Sequence, residues 1–116
     1  MTVIVTQNEK IMSDRHFQQA YNKHMAGDMQ AARALYERIL EKVPKHVDAR
    51  YMLGTLLAES GELELALTHL KIAASRMPNS PMIITNLGNV YLKLGELDQA
   101  RECYQRSLQL TQQSEI

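Results

Sequence analysis

Apolar residues recur along most of the chain at intervals of three and four positions, the spacing that places them on one face of an α-helix. One such run begins at Leu53, and a second covers Leu63–Arg76. Gly61 separates the two runs, and Pro78 follows the second. Glycine often ends a helix because it tolerates a positive φ, and proline cannot continue a helix interior. The pattern therefore predicts two helices joined by a tight turn and stopped at Pro78.

This two-helix pattern returns with a period of 34 residues. The segment NLGNVYLKLGELDQA, at positions 86–100, aligns with MLGTLLAESGELELA at positions 52–66. A third copy, QAYNKHMAGDMQAA, occupies positions 19–32. A fixed period of this length is typical of stacked supersecondary units, each of which buries its apolar face on its neighbours.

The repeat predicts an all-α chain of six helices, arranged as three helix–turn–helix units at residues 13–46, 47–80 and 81–114. A lead segment at 1–12 precedes them. Residues 1–7 of that segment have no helical period, so we expect them to be extended or mobile.

Small residues at fixed positions explain why glycine occurs inside a helix, where it costs about 1 kcal/mol relative to alanine. Gly54 and Gly88 hold the same position of the first helix in their units, and an alanine holds one position of every second helix. Small side chains at both positions would let the paired helices approach closely, with a larger residue filling the space beside them. The predicted structural positions of the repeats are Ala20, Gly27, Ala32, Tyr36, Pro44, Gly54, Gly61, Ala66, Leu70, Pro78, Gly88, Gly95, Ala100 and Tyr104.

The period and its small, aromatic and proline positions resemble those of the tetratricopeptide repeat (TPR) family. The resemblance covers all three units and is loosest in the first, where Gln19 and Lys23 stand at positions that later copies fill with leucine or tyrosine. We expect no unit before the first one, so these polar residues suit a water-facing, capping surface. The resemblance implies a right-handed superhelix whose first helices line a concave groove that holds a peptide or a helix of a partner protein.

Carried over position by position, the family's groove falls on one side of each first helix. Phe17, Tyr21 and Met52 could instead belong to the core, because apolar residues at helical spacing suit either place. The predicted groove residues are Phe17, Tyr21, His24 and Met25 in the first unit, Tyr51, Met52 and Thr55 in the second, and Met82, Thr85, Asn86, Asn89 and Lys93 in the third, with Asp14, Gln18, Asp48 and Glu59 on the same side.

The side chains in this predicted groove favour an apolar partner. Some family members use basic and asparagine residues to clamp the C-terminal carboxylate of a heat-shock protein, whereas the matching positions here hold Phe17, Tyr21, Met52, Met82 and Asn86. Methionine-rich surfaces adapt to varied apolar ligands. We therefore expect an amphipathic helix or an extended apolar segment as ligand, and no heat-shock-tail recognition.

The composition narrows the function classes further. The 116 residues make one domain, with 13 basic and 13 acidic side chains, so no large electrostatic footprint for nucleic acid or anionic membrane is expected. Cys103 is the sole cysteine, which excludes an intramolecular disulfide and favours a reducing, cytoplasmic location. The apolar stretch at residues 3–5 is too short for a signal peptide or a membrane span.

The sequence contains no pattern typical of catalysis, cofactor binding or metal binding. His16, His24, His46 and His69 are scattered and form no ligand motif, so we interpret them as surface or half-buried residues. Cys103 has no histidine near it in sequence and is interpreted as a small packing residue. The chain is therefore not expected to be an enzyme.

Three functions remain compatible with these observations. The leading interpretation is a protein–protein interaction module, an adaptor or scaffold. The second is a small chaperone that shields a hydrophobic client segment, similar in size and repeat count to the three-repeat chaperones of type III secretion. The third is a non-catalytic regulatory subunit of an enzyme complex. A chaperone's client would be insoluble or degraded without it, whereas an adaptor's partner would survive alone.

Self-association is a further expectation, drawn from the last predicted helix. Leu97 and Leu108 lie on its flank, and no later helix is predicted to cover them. Two chains could pack their third units about a two-fold axis, or residues 3–5 of one chain could lie in the groove of another.

Overall fold

The computed structural model of the protein describes residues 7–114, with side chains from 14 to 113. Across that range the chain forms six α-helices and no β-strand, which confirms the all-α prediction. The helices are α1 Gln7–Met25, α2 Met29–Lys42, α3 Val47–Glu59, α4 Leu63–Arg76, α5 Pro81–Lys93 and α6 Leu97–Ser114.

Consecutive helices pair as hairpins, α1 with α2, α3 with α4 and α5 with α6, and each hairpin packs on the next. A glycine with positive φ closes each hairpin: Gly27 at +84°, Gly61 at +85° and Gly95 at +81°. This backbone conformation is strained for residues that carry a Cβ atom, so glycine is the residue that the turn requires. The turn prediction is confirmed in all three units.

The second kind of glycine lies where two helices touch. A Cβ atom added at Gly54 would stand 2.8 Å from Cγ of Leu70, and one added at Gly88 would stand 3.0 Å from Cβ of Cys103 and from Cε1 of Tyr104. Helix α3 therefore approaches α4, and α5 approaches α6, so closely that a Cβ atom at either glycine would force neighbouring side chains to shift. The packing role predicted for these two positions is confirmed.

Helix starts are fixed locally. Asp28, His46 and Ser80 precede α2, α3 and α5, and the side chain of each accepts a hydrogen bond from the backbone N–H three residues later. Such caps satisfy N–H groups that have no partner inside the helix.

One continuous core runs between the two rows of helices. Its small members Ala20, Ala32 and Ala66 are fully buried, as the repeat predicts. The largest fully buried side chains are Tyr36, Ile39, Leu53, Leu56, Leu57, Leu70 and Val90. Because the core extends through the hairpin interfaces, each hairpin depends on its neighbours for burial.

The first helix is longer than its predicted repeat. Helix α1 begins at Gln7, inside the predicted lead segment 1–12, so the expectation that Gln7 is extended is wrong. Residues 7–12 contain no glycine or proline, and a helix continues through such a stretch even without an apolar period. The rest of the predicted extended stretch, residues 1–6, lies outside the described residues.

Candidate partner-binding face

Helices α1, α3 and α5 lie side by side as one row, and we call their solvent-facing side the inner face. This is the side on which the groove is predicted. Three of its apolar side chains are exposed: Tyr21 at 39%, Met25 at 58% and Met82 at 63% of their full surface. Asn89 and Lys93 on α5 are exposed as well. The inner face thus offers both apolar contact area and hydrogen-bonding groups to solvent.

Hydrogen bonds across the inner face tie α5 to α3. The Asn86 side chain donates to the Tyr51 hydroxyl at 2.6 Å and approaches the Thr55 hydroxyl at 3.5 Å. All three residues are half-buried, and burial raises the pKa of Tyr51, which keeps its hydroxyl neutral. These hydrogen bonds hold the three side chains in place, so fewer of their donors and acceptors are available to a ligand.

A cleft of about 170 Å³ opens between α3 and α5 beside this hydrogen-bonded group. Glu59 and Lys93 lie on its rim with opposite charges, and both are exposed. The cleft is lined by Thr55, Ala58, Glu59, Leu70, Asn86, Asn89, Val90 and Lys93. The cleft brings together five residues of the predicted groove side, namely Thr55, Glu59, Asn86, Asn89 and Lys93.

Two predicted groove residues have a second role in the core. Phe17 stacks on the His46 ring with centroids 5.5 Å apart and also contacts Tyr36, while Met52 is half-buried against the core. The aromatic ring of Phe17 thereby links α1 to the loop that enters α3. Both side chains retain partial exposure and contribute to the edge of the face.

His24 is not a groove residue, and its prediction as one is wrong. Its side chain is buried, with Nε2 at 3.0 Å from a Glu59 carboxylate oxygen and Nδ1 at 3.2 Å from the Tyr36 hydroxyl. Since a carboxylate only accepts, Nε2 donates to Glu59, and Nδ1 shares a hydrogen bond with the Tyr36 hydroxyl. Burial raises the pKa of Tyr36 to about 12, so that hydroxyl keeps its proton. His24 therefore joins α1, α2 and α3 instead of meeting a partner, and the interpretation of the four histidines as surface or half-buried fails for it.

Thr85, a predicted groove residue, has a hydrogen-bond partner in its own hairpin. Its hydroxyl lies 2.6 Å from that of Ser107, and Ser107 donates to the Pro81 carbonyl at 3.2 Å. Thr85 is half-buried, and this contact ties it to α6.

Three lining residues of the cleft were not predicted as groove residues: Leu70, which was predicted as a structural repeat position, and Ala58 and Val90, which were not predicted at all. Ala58 and Val90 form its apolar wall, and nothing in their own residue types distinguishes them from core positions. The repeat gives the one indication that Ala58 lies near the next unit. It aligns Ala58 with His24, and His24 contacts the second hairpin.

The described side chains contain no group of three or more His, Cys, Asp or Glu residues arranged to hold a metal ion. Burial raises the pKa of the Cys103 thiol, and Cys103 packs against the core, which agrees with a packing role. Within residues 7–114, no helix is long and apolar enough to cross a membrane.

The architecture defines the class of protein: a solenoid of stacked α-hairpins in which each hairpin contacts only its neighbours. Two family models, both described as tetratricopeptide repeat, match residues 24–80 and 82–113. The chain belongs to the tetratricopeptide repeat family.

Two curated proteins are similar in sequence. Anaphase-promoting complex subunit 3 of Schizosaccharomyces pombe is 25% identical over 114 residues, covering 94% of this chain and 17% of that protein. The probable biofilm formation methyltransferase WspC of Pseudomonas putida is 29% identical over 90 residues, covering 78% of this chain and 21% of that protein. The chain therefore spans about a fifth of the length of these relatives.

Solved structures repeat the same fold. A crystal structure of MamA superposes with a TM-score of 0.82 at 20% identity, covering 88% of this chain and 60% of that one. The Thermobaculum terrenum O-GlcNAc transferase mutant K341M superposes with a TM-score of 0.85 at 26% identity, covering 92% of this chain and 20% of that one. Two of these relatives and neighbours carry enzyme names, but this chain matches only about a fifth of each. The function class that the repeat family supports for this chain is protein interaction.

Proposed function

We propose that the protein is a non-catalytic interaction module that binds an apolar peptide or helix of a partner protein along its inner face. The observation that carries the proposal is the exposure of Tyr21, Met25 and Met82 beside the cleft between α3 and α5. Aromatic and methionine side chains are enriched at the energetic centres of protein interfaces, and exposed ones without an internal packing role are available to a partner.

The chemistry of the face favours an apolar ligand over an acidic tail. Lys93 is the one cationic side chain among the predicted groove residues that the structure leaves exposed, and Glu59 on the opposite rim carries a negative charge. A single Lys cannot form the several charge-assisted hydrogen bonds that hold a carboxylate pair. The amide of Asn89 and the Lys93 ammonium suit the polar side or the backbone of a bound segment.

Asn89 already has one partner within the third unit, since its side-chain oxygen accepts a 2.6 Å hydrogen bond from the Tyr104 hydroxyl. That bond fixes which end of the amide faces solvent. The NH₂ group remains directed away from Tyr104, so Asn89 acts as a hydrogen-bond donor to a ligand.

A phage-displayed library of random peptides tests the proposal, followed by fluorescence anisotropy on the selected peptides. We expect apolar or amphipathic sequences and a dissociation constant at least about tenfold weaker for Tyr21→Ala than for the parent protein, since an interface aromatic commonly contributes more than 1 kcal/mol. Leu65→Ala is the matched control, because Leu65 on α4 is 41% exposed, close to the 39% of Tyr21, and lies in the other row of helices.

Circular dichroism on both variants separates loss of binding from loss of fold. If Tyr21→Ala and Met82→Ala bound the selected peptides as tightly as the parent protein does while keeping its melting temperature, the inner face would not be the binding surface. Selection of acidic, carboxylate-ending peptides would contradict the proposed ligand chemistry.

A further inference from the structure

Three large apolar side chains of the third hairpin are exposed on one side of the molecule. Leu92 near the end of α5 is 51% exposed, and Leu97 and Leu108 on α6 are 59% and 60% exposed. Leu97 and Leu108 are eleven residues apart, so they lie within about 20° of each other around the helix. We call these three residues the end face.

The 34-residue period gives each of them counterparts in the first two units, and those counterparts are covered. Leu108 corresponds to Leu40, which is 8% exposed, and to Ala74, which packs against the core. Leu97 corresponds to Met29 and Leu63, both packed against the core.

The counterparts of Leu92 in the first two units are also covered. It corresponds to Ala58, which packs against the core, and to His24, which is 3% exposed. Residues of the next hairpin lie beside three of these counterparts, and Leu40 shares a cleft with Leu53 and Leu57 of α3. His24 meets Glu59 of α3, and Ala58 shares a cleft with Asn86 of α5. The end face is thus the continuation of the surface on which hairpins stack inside the molecule.

We propose that a second copy of the chain covers the end face, with the third hairpins of two molecules packed about a two-fold axis. This inference concerns the side opposite α1 and does not rest on the proposed peptide binding. It would bury all three leucines of both copies, and the summed burial of these six side chains favours association.

Head-to-tail stacking is the alternative mode of self-association, and the opposite end of the molecule disfavours it. The residues of α3 that receive the preceding hairpin include Leu53 and Leu57, which are buried. Their counterparts on α1 are Gln19 and Lys23, both exposed and polar. At these two positions a leucine of the end face would meet polar side chains, whereas the same face of a second copy offers leucine to leucine.

An antiparallel arrangement of the two α6 helices satisfies the two-fold symmetry. In that register Leu97 of each copy meets Leu108 of the other, and Arg101 of each copy falls opposite Tyr104 of the other. Arg101 is exposed and holds Asp98 only loosely, at 4.0 Å, so its guanidinium is free to rest on an aromatic ring.

Sedimentation velocity on the full chain tests the proposal over a range from about 1 to 100 µM, where weak dimers dissociate and form. We expect the mass to rise from 13.2 kDa toward twice that value as the concentration increases. Leu108→Lys and Leu97→Glu each place an unpaired charge in the apolar contact and should raise the dissociation constant at least about tenfold.

The double variant L97E/L108K tests the symmetry. The two introduced charges would be about 16 Å apart along one helix, too far to pair within a chain, but opposite charges would meet across the two-fold axis. Recovery of the dimer in the double variant supports the antiparallel packing. Failure to recover, with both single variants folded by circular dichroism, overturns that packing.

Leu65→Lys is the control, since Leu65 is exposed and lies outside the end face. It should leave the dissociation constant unchanged. A parent protein that stays at 13.2 kDa throughout the range overturns the proposal. Growth beyond a dimer would also overturn it, because an open-ended series indicates a contact between two different surfaces.

Discussion

Glycine has two separate uses in each of the later repeats, and the middle repeat shows both. Gly61 has a φ of +85° with open space around the position of a Cβ atom, so its role is conformational. Gly54 has a helical backbone and no such room, because Leu70 of α4 occupies the space. Glycine is therefore needed at Gly61 for its backbone conformation and at Gly54 for close packing between two helices.

Gly54→Leu is expected to destabilise the protein by about 1–3 kcal/mol, because the new side chain must displace Leu70 from the contact between α3 and α4. Urea denaturation followed by circular dichroism measures the change. Thr68→Leu serves as the control, since Thr68 is exposed on α4, and it should alter the free energy of unfolding by less than about 0.5 kcal/mol. An unchanged midpoint in Gly54→Leu would mean that α3 and α4 do not meet at this position.

At His24, contacts with neighbouring helices decide whether the side chain is exposed or buried. The helical period places it on the same side as Tyr21 and Met25, which are exposed. Glu59 of the next hairpin reaches it, and Tyr36 of its own hairpin completes the hydrogen bonds. A residue at a groove position in sequence thus becomes a link between hairpins.

Helices α3 and α4 are joined by a polar contact at a position where the third unit has Ile84. Arg50 on α3 donates to Nδ1 of His69 on α4 at 3.3 Å and to the Pro44 carbonyl at 2.9 Å, while its Nε is buried without a hydrogen-bond partner. Since arginine only donates, the His69 ring must accept at Nδ1, which requires the neutral form. Burial first, and then the charge of Arg50, lower the pKa of His69.

This contact makes stability depend on pH. The unfolded chain takes up a proton on His69 near its ordinary pKa of about 6.5, whereas the folded chain resists protonation until a lower pH. The free energy of unfolding should therefore fall as the pH drops through about 6.5, and the His69 contribution should be fully present above that value. His69 is only partly buried, so the change is small.

Urea denaturation at about pH 7.5 and about pH 5.5 measures the effect, bracketing the ordinary histidine pKa. His69→Gln keeps an acceptor for Arg50 but cannot take up a proton, so its stability should fall less between the two pH values than that of the parent protein. Equal pH dependence in both proteins would show that His69 titrates alike in the folded and unfolded states.

The molecule as a whole is a short stack, and its middle hairpin is covered on both sides. Leu53 and Leu57 of α3 and Leu70 of α4 are at most 2% exposed, whereas α1 presents Gln19 and α6 presents Leu108 to solvent. In such a stack, a hairpin with neighbours on both sides is more stable against local unfolding than a hairpin with one neighbour.

Hydrogen exchange should therefore be slowest in α3 and α4. Measured by mass spectrometry at a concentration low enough to keep the protein monomeric, amides of α1 and α6 are expected to exchange faster than those of the middle hairpin. If all six helices exchanged at one common rate, the stack would unfold as a single unit, and local stability would not depend on the number of neighbouring hairpins. Raising the protein concentration provides an internal comparison, since covering the end face would slow exchange in α6 selectively.

The sequence alone determined the architecture because the features that specify it are local and repeated. Gly61 forms its turn without a distant partner, and Pro78 ends a helix because of its own ring. The 34-residue period indicates that the hairpins stack. The observed α4, Leu63–Arg76, has the bounds that the pattern predicts. The start of α1 was not predictable in this way, since residues 7–12 carry neither an apolar period nor a helix stop.

Only the tertiary structure decided which side chains of a helix face are accessible. Tyr21, His24 and Phe17 all lie on the predicted groove side, yet the first is exposed, the second is buried and the third packs partly on the core. Accessibility depends on what the next hairpin places opposite each residue: Glu59 covers His24, and His46 stacks on Phe17. These contacts join residues about 30 positions apart, and the period of one helix holds no information about them because it describes a single face without its neighbours.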